Sequence, residues 1–347
     1  MPKLSDKTTR SAKPTIRDVA AAAGVALGTV SRVLNGHASV KLEIKRRVQR
    51  AIEDLGYAPN AVAQSMRIGS TFTIGCVLRE INIPQLAGFV RAAHDVLDEA
   101  GFSLLISNSE GRPDRERELL SHLARRQADG VMIGPYSPIK GEFERFLREL
   151  GVPIVLVDRD PVSWLDSVMA DHAGGTRLAV DHLLGLGHRR IALITGEHGL
   201  YPAQQRIRGY HEAFGARGLE ADPDLVQTGS FLPGAGFRFA SALLGQREPP
   251  TAIISGGIDM LSGVLRAVRS RGLSIPGDVS IIAAGHSELA ELHTPPISVV
   301  SWDQEEVGRI AAGLLLDRLR AKAPQEGRHV LVPNEFILRA SVGPPRG

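Results

Sequence analysis

The amino-acid sequence predicts an α/β protein in which a small helical domain precedes a longer body of two doubly wound parallel sheets. Three amphipathic helix patterns occupy the first sixty residues, and strand-like segments alternate with helix-like segments from about residue 72 onward. Such an alternation is typical of parallel sheets that helices cover on both faces. The body of roughly 270 residues is long enough for two such sheets.

The charges are distributed unevenly along the chain. Residues 1–69 contain 12 Lys and Arg against 5 Asp and Glu, whereas the remaining residues contain 29 against 33. A basic block on a mildly acidic body indicates contact with a polyanion such as nucleic acid, because each neutralised phosphate releases counterions. A solvated basic tail is the alternative reading of these charges. Residues 1–13 are expected to form such a disordered tail.

The sequence contains no pattern of a membrane or secreted protein. No run approaches the roughly 18 apolar residues of a membrane span, and the first residues lack the apolar core of a signal peptide. The single cysteine, Cys76, excludes an internal disulfide and a cysteine-based zinc site. We therefore expect a cytoplasmic protein with no metal and no cofactor.

The first two helix patterns are separated by a glycine. The apolar positions of the first helix have amphipathic spacing: Ile16, Val19, Ala20 and Ala23. Thr15 and Asp18 approximate a capping box at its start, and Gly24 ends it. A second helix is predicted at residues 27–34. Helix, glycine turn and helix is the helix-turn-helix plan, in which the start of the second helix enters the DNA major groove.

A third helix, predicted at residues 42–55, completes a small three-helix core. Its apolar side chains are expected to point inward, and they are Ile44, Val48, Ala51, Ile52 and Leu55. Its basic side chains are expected to point outward, and they are Lys45, Arg46, Arg47 and Arg50.

Two motifs give the sequence a specific resemblance. The run TIRDVAAAAGVALGTVSRVLNG, followed about twenty residues later by LGYAPNAVAQSMR, resembles the lactose/galactose-repressor (LacI/GalR) family of bacterial transcription regulators. Two motifs in this order and at this distance are more specific than a lone helix-turn-helix pattern. The resemblance implies a DNA-binding regulator that is not an enzyme, a repressor of carbohydrate or sugar-acid metabolism genes controlled by a small-molecule effector.

The resemblance also assigns DNA contacts within a headpiece at residues 14–58. The base-reading positions are Leu27, Gly28 and Arg32, and the backbone-contacting positions are Thr15, Ile16, Thr29, Ser31 and Asn35. An arginine fork can read guanine, and a leucine can touch a thymine methyl group. Ala26 departs from the usual phosphate-binding serine, and Gly28 offers no side chain to a base. Plain helix surface for Thr29 and Ser31, and packing within the domain for Leu27, remain alternatives.

Residues 59–69 are predicted to form a hinge helix and linker. A helix shorter than about twelve residues is marginal in water, so this segment needs a partner. In the family, two hinge copies pack together in the DNA minor groove, which implies DNA contacts for Asn60, Val62, Ala63 and Met66. Met66 stands at the position of the apolar wedge, where the family usually has leucine. An ordinary buried role for Met66 is the alternative.

The body at residues 70–342 is expected to bind the effector and to dimerise. Its predicted strands are TIGCVL, SLLISN, GVMIG and PIVLVD before Asp171, and RIALIT, TAIIS and VSIIAAG after it. The resemblance implies a bilobed fold like that of the periplasmic sugar-binding proteins, with the chain crossing between the lobes near Asp171, Trp302 and Val332. The N-subdomain would span about residues 70–171 and 302–331, and the C-subdomain about 172–301 and 332–342. Ligands bind at the carboxyl ends of such strands.

Matching positions give a partial effector site, which consists of Gln85, Leu86, Asp158, Arg206, Asp259, His286 and Trp302. A stacking aromatic, a few polar groups and an arginine suit a polyhydroxylated ligand. The family's Asn-Asp pair is here Gly257 and Ile258, with Asp259 one place late, and its later aspartate is here Gly285, followed by His286. The loss of a carboxylate and the gain of a histidine make the cleft more positive, so a sugar acid is a candidate ligand as well as a neutral sugar. A turn role for Asp158 and a surface role for His286 are the alternatives.

Two other classes of protein are disfavoured. The sequence contains no G-x-G-x-x-G, P-loop, G-x-S-x-G or H-E-x-x-H motif, so an enzyme would have no recognisable catalytic group. A solute-binding protein would explain the body but leaves residues 15–67 without a role.

The expected partners are double-stranded DNA with a pseudo-palindromic operator, a sugar or sugar-acid effector, and a second copy of the chain. The C-terminal SVGPPRG lacks the leucine heptads that build tetramers in some relatives, which favours a homodimer. A tetramer remains an alternative, and no membrane contact is expected.

Overall fold

The structure is a computed structural model that describes residues 14–34, 39–57, 69–83, 85–321 and 326–346, the side chain of Gln85 excepted. The chain divides into two compact units, Met1–Thr71 and Phe72–Gly347. Several of the predicted DNA-contacting residues lie outside the described residues, as does the basic tail: Asn35, Asn60, Val62, Ala63 and Met66. Their roles stay predictions.

The first unit contains the helices α1 (Ile16–Ala23), α2 (Leu27–Leu34) and α3 (Leu42–Leu55). Its core consists of small and β-branched side chains from all three helices, namely Val19, Ala20, Ala23, Val30, Val48 and Ala51. The predicted helix-turn-helix arrangement is confirmed.

Hydrogen bonds at the start of α1 and from α3 stabilise α1 and the turn that follows it. At the start of α1, the backbone N–H and the hydroxyl of Thr15 donate to Oδ2 of Asp18 at 2.7 and 2.8 Å. Gly24 ends the helix with a φ of 57°, which favours glycine. Arg47 of α3 then donates to the carbonyl oxygens of Ala23 and Gly24 at 3.1 and 3.0 Å. These bonds fix the angle at which α2 leaves α1.

Two side chains of α3 differ from the prediction. Leu55, expected to point inward, keeps 37% of its surface exposed. It is the last residue of α3, and Gly56 turns the chain away with a φ of 60°, so no further helical turn covers the leucine. Lys45, expected to point outward, is half-buried.

The second unit alternates strands and helices. Its strands are β1 (Thr73–Leu78), β2 (Ser103–Asn108), β3 (Gly130–Ile133), β4 (Ile154–Val157), β5 (Asp166–Ala170), β6 (Ile191–Thr195), β7 (Val226–Thr228), β8 (Ala252–Ser255), β9 (Ser280–Ala284), β10 (Ser298–Ser301), β11 (His329–Val332) and β12 (Glu335–Ile337). Its helices are α4 (Gln85–Glu99), α5 (Pro113–Arg125), α6 (Gly141–Glu149), α7 (His172–Gly185), α8 (Tyr201–Ala216), α9 (Pro233–Leu244), α10 (Met260–Ser270), α11 (Glu288–Leu292) and α12 (Gln304–Arg320).

The strands form two sheets, one in each lobe. The first sheet has the order β11-β5-β4-β3-β1-β2, and the second has the order β12-β10-β9-β8-β6-β7. The chain passes between the lobes after β5, after β10 and after β11. The predicted pair of parallel sheets is confirmed except at one edge, where β12 runs antiparallel to β10.

Helices pack on both faces of the strands, and one close approach needs glycine. On the first sheet, α12 lies against α4 and against strands β3 to β5. A Cβ built on Gly308 would lie 2.3 Å from the carbonyl oxygen of Phe89, so only glycine lets the two helices approach this closely. In the part of the chain that the structure describes, no helix is long and apolar enough to span a membrane.

A buried carboxylate ties the last elements to the first sheet. Asp166, at the start of β5, is 0% exposed. Arg318 of α12 donates to both of its oxygens at 2.8 Å. Arg328, beside β11, donates through its backbone N–H at 2.7 Å and its guanidinium at 2.9 Å. Burial alone would raise the pKa of Asp166, but the hydrogen bonds from Arg318 and Arg328 outweigh burial and hold this pKa well below its usual range.

We predict that Asp166→Asn lowers the free energy of unfolding by about 3 kcal/mol at neutral pH, because it leaves two arginines facing a neutral, imperfect acceptor. Since the pKa of Asp166 is depressed, its contribution is present above the ordinary carboxyl pKa and is lost as the pH falls below about 4. Urea unfolding at several pH values measures both effects. Asp114→Asn, which removes an exposed ion pair with Arg112, is the control and should leave the unfolding midpoint unchanged. An unchanged midpoint for Asp166→Asn would contradict the assigned role.

Candidate DNA-binding and effector sites

The start of α2 presents an exposed face. Leu27 is 45% exposed, and Gly28 and Arg32 are also exposed. A Cβ built on Gly28 would meet nothing within 4 Å, so this face is open. Thr29 and Ser31 are half-buried on the flanks of the helix, whereas Val30 is fully buried. The predicted base-reading residues therefore share one accessible face.

The predicted backbone-contacting residues of α1 lie at the start of that helix. Thr15 is exposed and Ile16 is half-buried. The hydroxyl of Thr15 is already engaged by Asp18, and this hydrogen bond lowers the pKa of Asp18 together with the bond from the Thr15 backbone. The two hydrogen bonds between Thr15 and Asp18 therefore fix the conformation of the first turn of α1.

A cavity lies between the two lobes of the second unit, at the carboxyl ends of the strands. Its empty volume, including the part open to solvent, is about 980 Å³. Five of the seven predicted effector residues line it: Leu86, Asp158, Arg206, Asp259 and Trp302. Most of the remaining lining is apolar, as is usual for a small-molecule site with a few polar groups.

A buried chain of hydrogen bonds runs along one wall of this cavity. The Nε2 atom of His172 lies 2.9 Å from each carboxylate oxygen of Asp158. On the other side of the ring, Nη2 of Arg206 lies 3.1 Å from Nδ1 of His172. The imidazole also meets the edge of the Trp302 ring, at 5.0 Å and 88°. One histidine therefore contacts three of the predicted site residues.

His172 and Arg206 are buried, Asp158 is partly exposed, and the three perturb each other's protonation. Burial alone raises the pKa of Asp158, but His172 and the nearby arginines outweigh it and leave this pKa below its usual value. Burial lowers the pKa of His172, and burial lowers the pKa of Arg206 to about 10. At neutral pH the wall therefore carries one carboxylate, one guanidinium and a neutral imidazole.

Sequence reasoning did not find several residues of this site, including His172. Arg159 lines the cavity and donates from Nη1 to the carbonyl oxygen of Asp158 at 2.7 Å. Arg79 also lines it, with its guanidinium 5.5 Å from the ring centroid of Phe231. The position of His172, directly after the crossing residue Asp171, is the one sequence signal that points to the cleft.

Of the remaining two predicted effector residues, only the side chain of His286 is described. The side chain of Gln85 is outside the described residues. His286 lines a second cavity instead, together with Gly285 and Trp302. Its Nε2 lies 3.4 Å from a carboxylate oxygen of Glu291, and Ile258 packs against Gly285 between His286 and the first cavity. His286 therefore lies in an adjoining cavity, which shares Ile258 and Trp302 with the first.

Comparison with known proteins identifies both parts of the chain. Residues 15–60 match the family model for bacterial regulatory proteins of the lacI family, and residues 180–342 match that for a periplasmic binding protein-like domain. The ribose operon repressor of Escherichia coli strain K12 is 33% identical over 321 residues, covering 92% of this chain and 97% of that protein. The chain belongs to the LacI family.

Solved structures agree with this assignment. A lac repressor dimer bound to operator and the anti-inducer ONPF is similar to this LacI-family chain, with a TM-score of 0.84, 25% identity and coverage of 95% of this chain and 99% of that chain. A complex of the transcriptional regulator CelR with cellobiose gives a TM-score of 0.71 and 32% identity, covering 95% and 100%. This LacI-family protein is thus a DNA-binding transcriptional regulator and not an enzyme. Among the described residues, no group of three His, Cys, Asp or Glu side chains could hold a metal ion.

We predict that Cys76, which lies in the cavity wall, is alkylated far more slowly in the folded regulator than in the urea-unfolded chain. The thiol is 1% exposed, and burial raises its pKa to about 12, so the reactive thiolate is scarce at any lower pH. We expect the rate with iodoacetamide at about pH 9 to differ by roughly two orders of magnitude or more. Mass spectrometry gives the rate for this sole cysteine of the sequence. Equal rates in the two states would contradict the assigned burial.

Proposed function

We propose that this LacI-family regulator is a cytoplasmic repressor of carbohydrate or sugar-acid metabolism genes. A small molecule bound between its lobes would control its affinity for a pseudo-palindromic operator. The observation that carries the effector site is Arg206, which is 4% exposed and lines the cavity. Its Nη1 atom has no hydrogen-bond partner among the described residues. A buried guanidinium N–H without an acceptor is costly, and a ligand oxygen would satisfy it.

The charges of the cavity favour an anionic effector. The arginines at its wall are Arg79, Arg159 and Arg206, and the carboxylates are Asp158 and Asp259. Asp158 is already engaged by His172, and Arg159 donates to backbone carbonyls rather than to a carboxylate. Charge-assisted bonds from arginine to a carboxylate are stronger than those to a neutral hydroxyl. We therefore propose a sugar acid, a different class of ligand from the neutral sugars ribose and cellobiose that the names of its relatives carry.

A homodimer is the proposed form of the regulator. In the described residues β2 pairs on one side only, with β1, and its Leu105 and Ile106 are 39% and 38% exposed. Leu289 and Leu292 of α11 are exposed on the other lobe at 42% and 79%. A second copy would cover such an edge strand and such apolar side chains. Two headpieces related by a twofold axis would then read two half-sites.

DNA recognition is proposed to follow the assignments made above. Arg32 and Leu27 would reach base edges, and Gly28 would let the backbone approach the groove closely. Thr15, Ile16, Thr29, Ser31 and Asn35 would contact the DNA backbone. Asn60, Val62, Ala63 and Met66 would occupy the minor groove, with Met66 as the wedge.

We predict that Arg32→Ala lowers the discrimination between selected and unrelated DNA by about 10- to 100-fold, since one guanine contact is worth about 1–3 kcal/mol. Duplexes selected from a random pool by the wild-type protein and a scrambled duplex serve as probes in fluorescence anisotropy. Arg50→Ala, which removes an exposed arginine of α3, is the control and should affect both duplexes equally. An equal loss of affinity for both duplexes with Arg32→Ala would contradict the base-reading role.

We predict that a sugar acid binds at least about tenfold more tightly than its neutral counterpart. Calorimetric titration of D-glucose against D-glucuronate, and of D-galactose against D-galacturonate and D-galactonate, measures this. Arg206→Met should abolish binding, whereas Arg208→Met, an exposed arginine of the same helix, should preserve it. Tight binding of a neutral sugar with none of its acid would rule out the anionic effector.

A further inference from the structure

His172 occupies the junction between the lobes. It is the first residue of α7, directly after the first crossing of the chain, and it is 1% exposed. Asp158, which follows β4, belongs to the first lobe, whereas Arg206 of α8 belongs to the second. One side of the imidazole therefore makes a contact between the lobes, and the other makes a contact within the second lobe.

The hydrogen-bond partners fix the tautomer of His172. A guanidinium can only donate, so Nδ1 must accept the bond from Arg206 and carries no proton. The ring proton of the neutral imidazole is then on Nε2, where it is donated to the carboxylate of Asp158. Of all the arrangements of protons on this ring, only the neutral Nε2–H form satisfies both neighbours.

We propose that neutral His172 is the positioning residue of the effector site, and that its two nitrogens have separate tasks. The Nδ1 side holds Nη2 of Arg206 and leaves Nη1, which has no partner among the described residues, for a ligand oxygen. The Nε2 side ties the second lobe to Asp158 of the first and thereby holds the lobes closed. The orientation of Arg206 for a ligand rests on the proposed function, but the tie between the lobes does not.

The protonation state of His172 follows from the groups around it. Asp158 and Asp171 favour the charged imidazolium, whereas burial and Arg206 oppose it, and the rings of Tyr201 and Trp302 enclose it. The pKa of His172 is lowered, so the neutral form persists below the ordinary histidine pKa. Protonation at still lower pH would remove the acceptor for Arg206 and place a second cation beside it. The contact with Arg206 within the second lobe is therefore expected to weaken as the pH falls, whereas Nε2–H continues to donate to Asp158 across the lobes.

The first test is nuclear magnetic resonance of the full chain labelled with ¹⁵N-histidine, with His172→Gln used to assign the ring signals. We expect an Nε2–H tautomer at neutral pH and no titration of this ring near the ordinary pKa of about 6.5. A ring that is protonated on Nδ1 at neutral pH, or one that titrates at or above the ordinary value, would overturn the proposal. No ligand or DNA is needed for this measurement.

The second test separates the two nitrogens by substitution. The amide of glutamine can reach the place of Nε2 and keep the bond to Asp158, whereas the shorter amide of asparagine can replace Nδ1 alone. Phenylalanine removes both bonds while keeping the ring. Iodoacetamide labelling of Cys76 in the cavity wall reports how often the lobes open. Rates are compared at equal distance below each variant's unfolding temperature, so that global unfolding does not contribute.

We expect His172→Asn and His172→Phe to raise the labelling rate by roughly fivefold or more, the lower end of the effect of losing a buried hydrogen bond. His172→Gln should stay within about twofold of the wild type, because it keeps the bond between the lobes. A purely structural histidine would instead give equal effects for glutamine and asparagine, and that result would overturn the proposal. If these outcomes hold while every sugar acid fails to bind, the proposed effector class is wrong and the role of His172 in closure stands.

Discussion

The hydrogen bonds that join Arg206, His172 and Asp158 are the constraint on which the cleft depends. Each of these groups is expensive to bury alone, and each is stabilised only because the next one faces it. Asp158 even adopts a φ of 54°, which is uncommon for a residue other than glycine or asparagine. That conformation turns its carboxylate from the end of β4 toward the other lobe. The arrangement of this wall therefore depends on one hydrogen-bonded chain of polar groups, in which Nη1 of Arg206 has no partner among the described residues.

Other contacts in the second unit stabilise the lobes and the passages between them independently of this chain of polar groups. Asp166, with Arg318 and Arg328, fixes the late elements α12 and β11 to the first sheet. The three passages between the lobes meet around Gly175, where a Cβ would lie 2.5 Å from Val300 and 2.8 Å from Asn334. Such tight packing keeps the axis of any lobe motion in one place. His172 lies three residues before Gly175 in α7, so its contact with Asp158 is close to this axis.

The sequence predicts the framework better than it predicts the chemistry of the cleft. Strands β1 and β2 were predicted to the residue from their apolar sequences, although β1 is buried on both faces and β2 is a partly exposed edge strand. Strands β5, β7, β10, β11 and β12 were not predicted. Three of them, β7, β11 and β12, lie at sheet edges, where burial is partial, whereas β5 and β10 are buried interior strands whose short sequences, DSVMA and SVVS, each contain two polar residues. His172 was missed because its partners are 14 and 34 positions away. Only the fold brings them together. His286 was assigned to the cleft by matching positions, yet the turn at Gly285 and the side chain of Ile258 keep it in a neighbouring cavity.

These features decide what an effector can do to the regulator. A ligand shifts a conformational equilibrium only by its difference in affinity for the two states. A carboxylate held as proposed, by Arg206 and by arginines of the first lobe, would contact both lobes at once and would therefore bind the closed arrangement more tightly than the open one. The bond between Asp158 and His172 favours the same arrangement before any ligand arrives, which reduces the free energy that the ligand must supply. Because the coupling between two sites is reciprocal, any change that closure produces in operator affinity is matched by an equal change that the operator produces in effector affinity. The contact of His172 therefore helps to determine the population of the closed arrangement without ligand, and a bound ligand would increase that population.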